Sequence, residues 1–289
     1  MFRRRTPGPA ASPSQHRTPS GWHRDEWQSY DSVAVEYDQR NAPRHAPAAR
    51  DLVELTGIEP GQRVLDVGTG TGLAAAAALE ATGPGGLVVG VDPSAPMLSL
   101  ARARAAGARF VVGQALDLPF RDWRFDAVIA NFVLSHFTRY ETGLHDMLRV
   151  LRDGGRLGVT NWAGSEDEFG RAWREVAEGL VGRELYNDSV LRAIPWQQHF
   201  ADPVRLEEAL ERAGLRGVEV HDRRYRFEMT LEEYIAGQES RIVSRSLQRI
   251  MGEAIWERFR GQIREEFHRR FRDPIGDTRA VWIAVGRKA

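Results

Sequence analysis

The clearest chemical potential lies in a glycine-rich loop reading Val64-Leu65-Asp66-Val67-Gly68-Thr69-Gly70-Thr71-Gly72. Glycines at this spacing let the backbone turn tightly and let a ligand approach it closely. A helix beginning just after the loop would present free N–H groups and its positive dipole end to that ligand. Three ligand chemistries compete for such a loop. A triphosphate-binding loop needs Lys-Ser or Lys-Thr after its last glycine, and the chain has neither there. A dinucleotide fingerprint needs G-x-G-x-x-G, and Leu73 holds the third glycine's place. The observed G-x-G-x-G follows Asp66, an acid that attracts an ammonium group and repels a pyrophosphate. Asp92, twenty residues past Gly72, can accept from both hydroxyls of a ribose. His136 is the leading candidate for a base, since an imidazole titrates near neutrality. A structural or substrate-lining role competes for it. His23, His199 and His221 read better as surface histidines.

These residues must be held by a regular frame. Residues 25–55 read as helices. Apolar runs bounded by glycine then predict strands at 63–67, 87–91, 110–112, 125–130 and 156–160, with helices at 73–81 and 96–106 between the first three. Strands alternating with helices argue a mainly parallel sheet covered on both faces. Asp66, Asp92, Asn131 and Trp162 all fall at or just past strand ends, the edge where doubly wound sheets bind ligands. Beyond Trp162 the rhythm changes to helix and loop over 163–203, a helix over 206–213, a strand over 218–227, helical sequence over 231–272 and a last strand over 280–286. The organisation expected is a tail at 1–24 and one domain over 25–289. That domain has a core at 45–162, a helical insertion at 163–203 and C-terminal strands and helices at 204–289.

Composition narrows the function. The 289 residues carry 40 Lys plus Arg against 40 Asp plus Glu, a formal charge of zero that counts against a nucleic-acid partner. The absence of cysteine removes disulfides, thiolate metal sites and a cysteine nucleophile. No apolar run is long enough to span a membrane, and the basic N-terminus lacks the apolar stretch of a secretory signal, so a cytoplasmic protein is expected. Residues 1–24 hold five Arg, four Pro and no acid, the composition of a disordered tail.

Five segments in order, VLDVGTGTG, GVDPSAPML, GQALDLPF, FDAVIANFVLSHF and RVLRDGGRLGV, together resemble the class I S-adenosylmethionine (SAM)-dependent methyltransferases. The likeness is to the small-molecule, UbiE-like (methyltransferase type 11) branch, and it covers about residues 25–162 well. It implies a doubly wound, seven-stranded, mainly parallel Rossmann-like sheet with helical caps at both ends. It implies SAM as cofactor and a small-molecule methyl acceptor, with no metal. Asp66 would meet the methionine ammonium, with Gly68, Thr69 and Gly70 beneath the cofactor. Asp92 would hold the ribose, and Pro93 and Met97 the adenine. Gln114, Ala115 and Leu116 would flank the adenine too, Gln114 standing where many relatives carry Asp and accepting through its amide oxygen. Asn131 would line the methyl region, and Tyr37 would cover the cofactor from an N-terminal helix. An aromatic acceptor pocket could draw on Trp22, Tyr30, Trp162 and Trp196, and Tyr30 and Trp162 are the two assigned to it.

The same segments bear on rival functions. Exocyclic-amine nucleic-acid methyltransferases show Asn or Asp, Pro, Pro and an aromatic after the fourth strand, where this chain reads Asn131-Phe132-Val133-Leu134. Quinone C-methyltransferases usually show Tyr-Asp-x-Met-Asn early and a glutamate after the fifth strand. Here Tyr37-Asp38 runs into Gln39-Arg40-Asn41, and the later segment reads Thr160-Asn161-Trp162. A SAM-binding protein without transfer is a third alternative. An apolar stripe of every fourth residue from Val243 to Phe271 predicts a long amphipathic helix, with breaks at Gly252 and Gly261. Such a helix could cap the site, lie on a membrane or join a homodimer. Packing on the protein's own sheet is the expectation.

Overall fold

The computed structural model describes residues 26–164 and 167–289. The tail at 1–24, with Trp22 and His23, lies outside them. A 3₁₀ segment, Glu26–Val33, leads into α1 (Ala34–Thr56). Then follow β1 (Arg63–Val67), α2 (Leu73–Thr82), β2 (Leu87–Asp92), α3 (Ala95–Arg104), β3 (Arg109–Val112) and β4 (Phe125–Ala130). The chain continues through α4 (Tyr140–Val150), β5 (Leu151–Trp162), α5 (Glu168–Val181), α6 (Arg183–Ala193), α7 (Gln197–Phe200) and α8 (Pro203–Ala213). It closes with β6 (Leu215–Met229), α9 (Leu231–Glu239), α10 (Ile242–Arg270) and β7 (Ile275–Lys288).

The seven strands form one sheet in the order β3-β2-β1-β4-β5-β7-β6. The first five run parallel, and β7 is antiparallel to both β5 and β6. This is the doubly wound, mainly parallel sheet that the alternating runs predict. The winding reverses between β1 and β4, so a crevice opens past the carboxyl ends of those strands.

Strand side chains alternate between two buried layers, which is why the central strands read as continuous apolar runs. Val64, Val88, Ala127, Ile129 and Ile283 pack under α1 and α2, whose small residues Ala48, Ala49, Ala74, Ala75 and Ala78 let the helices approach closely. Leu65, Val91, Val128, Ala130 and Val159 face the opposite layer, against Leu144 and Met147 of α4 and Leu206 and Leu210 of α8. A third apolar cluster joins α5, α9 and α10 through Trp173, Tyr234, Phe259 and Phe267. The stripe on α10 is therefore buried against other helices and not on the sheet, a correction to the sequence expectation. The break does fall at Gly252, whose φ of 70° and ψ of 166° are non-helical. It also shifts the phase, so Trp256 is buried where Ile255 was expected, and Ile255 is exposed.

Candidate active site

Asp66 is the penultimate residue of β1, and its side chain is fully buried. Its Oδ2 accepts from the Thr69 hydroxyl at 2.6 Å, while Oδ1 has no partner among the described residues. Burial pushes its carboxyl up to about 7, against the opposing pull of hydrogen bonds from Thr69 and the Ala75 N–H. The loop beyond it is tied down by Gly68 and Thr69 N–H groups, which donate to the Val91 carbonyl at 2.8 and 3.0 Å. Gly68 has φ of +65°, and a Cβ there would stand 2.5 Å from Val133 Cγ2. At Gly70 the space above the backbone is open, the nearest atom to an added Cβ being the Gly68 carbonyl oxygen at 4.0 Å.

Asp92 ends β2 and braces the same loop. Its two oxygens accept from the Gly70 and Ser94 N–H groups, both at 2.9 Å, and burial lifts its carboxyl to about 6. Ser94 caps α3 by accepting from the Met97 N–H, and its hydroxyl donates to Asp31 at 2.5 Å. Pro93 and the buried Met97 thus sit at the start of α3 beside Asp92. Gln114 follows β3 with its side chain exposed, and Ala115 and Leu116 are half-buried against the α4 layer.

At the ends of β4 and β5, Asn131 Oδ1 accepts from the Thr160 hydroxyl at 2.8 Å, which in turn accepts from the Phe132 N–H. Phe132 adopts φ of +57°, a left-handed conformation uncommon for a bulky side chain and typical of strained functional turns. Its ring stacks on Trp162 at 4.2 Å. His45 of α1 packs against both rings, at 5.0 and 5.5 Å, and the Tyr37 hydroxyl lies 3.2 Å from its Nδ1. Tyr30 meets Tyr37 edge-on at 5.4 Å and His136 at 6.4 Å. Tyr30 thus links His136 to Tyr37, and His45 links Tyr37 to Trp162. Burial lowers His136 to about 4 and His45 to about 3, so both rings are neutral near pH 7. The Trp196 ring packs against Tyr140, and His199 lies half-buried beside both.

Sequence reasoning missed Phe132 and His45. The signal for His45 was its spacing of eight from Tyr37, which places both on one face of α1. Phe132 had no signal, because a positive φ at a non-glycine residue leaves no mark in composition. Among the described residues no cluster of His, Asp and Glu is suited to a metal. No described helix is long and apolar enough to cross a membrane.

Comparison with known proteins bears on this geometry. A profile described as a methyltransferase domain matches residues 65–159, and one for protein-L-isoaspartate(D-aspartate) O-methyltransferase matches residues 19–109. The ubiquinone/menaquinone biosynthesis C-methyltransferase UbiE of Pseudomonas fluorescens is 39% identical over 144 residues, 46% of this chain and 56% of that protein. The match thus spans little more than half of that relative. The protein of the same name from Stutzerimonas stutzeri is 32% identical over 214 residues, 67% of this chain and 82% of its own. The chain belongs to the SAM-dependent methyltransferase family. A methyltransferase fold is also what the solved structures share. A Bacillus halodurans putative methyltransferase superposes with a TM-score of 0.54 at 21% identity, over 84% of this chain and 99% of its own. The [4+2]-cyclase SpnF superposes with a TM-score of 0.56 at 18% identity, over 94% and 98%.

The site suits SAM on its own terms. A buried carboxylate with an unpartnered oxygen matches an ammonium group, and the open face of Gly70 leaves room for a ligand along the loop.

Proposed function

We propose that this protein transfers a methyl group from SAM to a small organic acceptor by in-line displacement. The observation that carries the reading is the unpartnered, buried Oδ1 of Asp66 beside the glycine loop. Asp66 holds the cofactor's ammonium, and Asp92, already fixed by two backbone N–H groups, holds the ribose hydroxyls. Pro93, Met97, Ala115 and Leu116 flank the adenine, with Gln114 accepting from its amino group. Thr69 fixes the Asp66 carboxylate in place, and Asn131 lines the methyl region.

When bound, the cofactor supplies an electrophilic sulfonium methyl group. The protein's task is to align the acceptor and exclude water. The rings of Tyr30, His45, Phe132 and Trp162 form the apolar wall of the acceptor pocket, with Tyr37 over the cofactor. His136, neutral at working pH, accepts a hydrogen bond from the acceptor and orients it. Its depressed pKa makes it a poor proton reservoir, so alignment is its main contribution. Residues 25–289 act as one methyltransferase domain under this reading.

A quinone-type C-methylation is the second reading, favoured by the names of the curated relatives. The departures at Gln39-Arg40-Asn41 and Thr160-Asn161-Trp162 weigh against it. Binding without transfer is a third, since this fold also carries a cyclase.

The test is calorimetric binding of SAM to the full chain and to Asp92→Ala, followed by S-adenosylhomocysteine release with a panel of acceptors. Binding weakened at least tenfold in the variant, about 1.4 kcal/mol, supports the pocket. A folded parent that does not bind SAM overturns it, and binding without turnover on any acceptor favours the third reading.

A further inference from the structure

The segment assigned to adenine, Gln114-Ala115-Leu116, lies in the connection between β3 and β4, residues 113–124, which holds no helix and no strand. A connection of that length is free to take many backbone shapes unless something outside it fixes its path. Its start is tied to Asp92, since the Gly113 N–H donates to the Asp92 carbonyl at 3.2 Å. A turn follows, in which the Asp117 N–H donates to the Gln114 carbonyl at 3.2 Å. Beyond that turn the connection is held by α4.

Gly143, Asp146 and Arg149 follow one another at a spacing of three on α4, so one helix face carries all of them. A Cβ at Gly143 would lie 3.5 Å from Leu116 Cδ2, so the bare helix backbone there leaves room for Leu116. The buried Asp146 accepts from the Leu118 N–H through one oxygen and from Arg149 Nε at 2.6 Å through the other. Arg149 Nη2 donates to the Leu118 carbonyl at 3.0 Å. Its Nη1 donates to the Phe120 carbonyl at 2.7 Å and to Asp122 at 2.9 Å. The Trp123 N–H returns to the Arg149 carbonyl at 3.1 Å. The pair thus holds both backbone groups of Leu118, two residues beyond Leu116. A planar guanidinium presents donors in fixed directions and can serve a carboxylate and two carbonyls at once, which a single ammonium point charge does not reproduce. What these bonds fix is the path of the chain as it leaves Leu116.

Resting on the methyltransferase reading above, we propose that Arg149, paired with Asp146, is a positioning residue for the cofactor's nucleobase: it fixes the Ala115-Leu116 wall against which the purine lies. Its effect on the cofactor passes through the loop. A wall that is already in place costs no ordering when a flat ring arrives, whereas a loose one takes that cost out of the binding free energy. The segment is anchored at Asp92 before the wall and at the Arg149–Asp146 pair after it, so releasing the second anchor frees the wall and leaves Asp66 and the glycine loop as they are.

Hydrogen exchange of the ligand-free full chain, followed by mass spectrometry, reads the loop directly. Arg149→Lys keeps a charge beside Asp146 and loses the fork, and Arg149→Met removes both. Amides of residues 117–124 should exchange about tenfold faster in at least one of these variants, with β1 and β4 unchanged. Calorimetry should show that variant binding S-adenosylhomocysteine about fivefold more weakly. The loss should nearly vanish in a Leu116→Ala background, where the wall is already cut back. It should persist in full in an Asp66→Asn background, since Asp66 serves the other end of the cofactor. Asp122→Ala, which removes only the exposed partner, should change neither exchange nor affinity. The inference is overturned if the loop stays protected in both Arg149 variants, or if it loosens and affinity holds. Faster exchange throughout the chain, or an equal loss in both backgrounds, overturns it in favour of a general structural role. A parent that does not bind S-adenosylhomocysteine instead sinks the methyltransferase reading, and this inference with it.

Discussion

Burial lifts the Asp66 carboxyl to about 7 and the Asp92 carboxyl to about 6, so near neutral pH a fraction of each is protonated. An incoming cation favours the ionised form of Asp66 and expels its proton. SAM affinity should therefore rise about tenfold between pH 6 and pH 8 and level off above. Calorimetry in two buffers of different ionisation enthalpy would register the released proton. Asp66→Asn should weaken binding and leave only the shallower dependence of Asp92, centred near pH 6. Gly68→Ala tests the loop itself. Its positive φ and the 2.5 Å approach to Val133 predict a loss of stability of about 2 kcal/mol or more in chemical denaturation. At this scale much of the candidate site was legible. Asp66, the glycines and Asp92 follow one another along a strand–turn–helix, and local spacing constrains them. The meeting of His45 with Phe132 and Trp162 was not legible, because those two rings arrive from elements far away in the chain.

The N-terminal segment is an element whose role lies in two polar clasps. Asp31 accepts from Ser94, and Asp38 pairs with Arg104 of α3 at 2.8 Å. Together they fasten the segment that carries Tyr30 and Tyr37 to α3. Both members of the Asp38–Arg104 pair are partly exposed, so Asp38→Ala should cost below about 1 kcal/mol of global stability. It should nevertheless speed SAM dissociation several-fold, which stopped-flow measurement can separate from any change in the association rate. A variant with unchanged dissociation would mean that the clasp does not gate the site. The strands and the α2 and α3 helices stand out by their periodicity and glycine boundaries. The helix α4 was passed over, although Leu144, Met147 and Leu148 repeat at helical spacing. The stripe on α10 held at Leu247, Met251, Phe259, Ile263 and Phe267, and failed only at Ile255, where the non-helical turn at Gly252 brings Trp256 inward instead.

Across the whole molecule, one carboxylate links the layers. Asp277 on β7 is fully buried and pairs with Arg44 of α1 and Arg279, and Arg279 reaches Asp167 at the start of α5. Removing one partner of a buried network strands the remaining charges. Asp277→Ala should destabilise the fold by about 3–5 kcal/mol, measured by urea unfolding. A loss near zero would mean that water reaches the arginines. This hub could not be read from the chain, because Arg44, Asp167 and the Asp277–Arg279 pair lie more than a hundred residues from one another and no local pattern marks them. The alternating strands announced the sheet, but nothing local announced that the helical cap would build a core of its own.

The place of β7 has a consequence for the order in which the fold can form. It lies between β5 and β6, pairing with Arg156–Trp162 on one side and with Leu215–Met229 on the other. A growing chain therefore holds β5 and β6 with no shared neighbour until Ile275–Lys288 has been synthesised. The parallel half and its glycine loop can take shape early, whereas the antiparallel half waits on the last strand and a long-range closure. Synthesis and assembly are thus coupled, and the antiparallel edge of the sheet is the last part of the fold to be built.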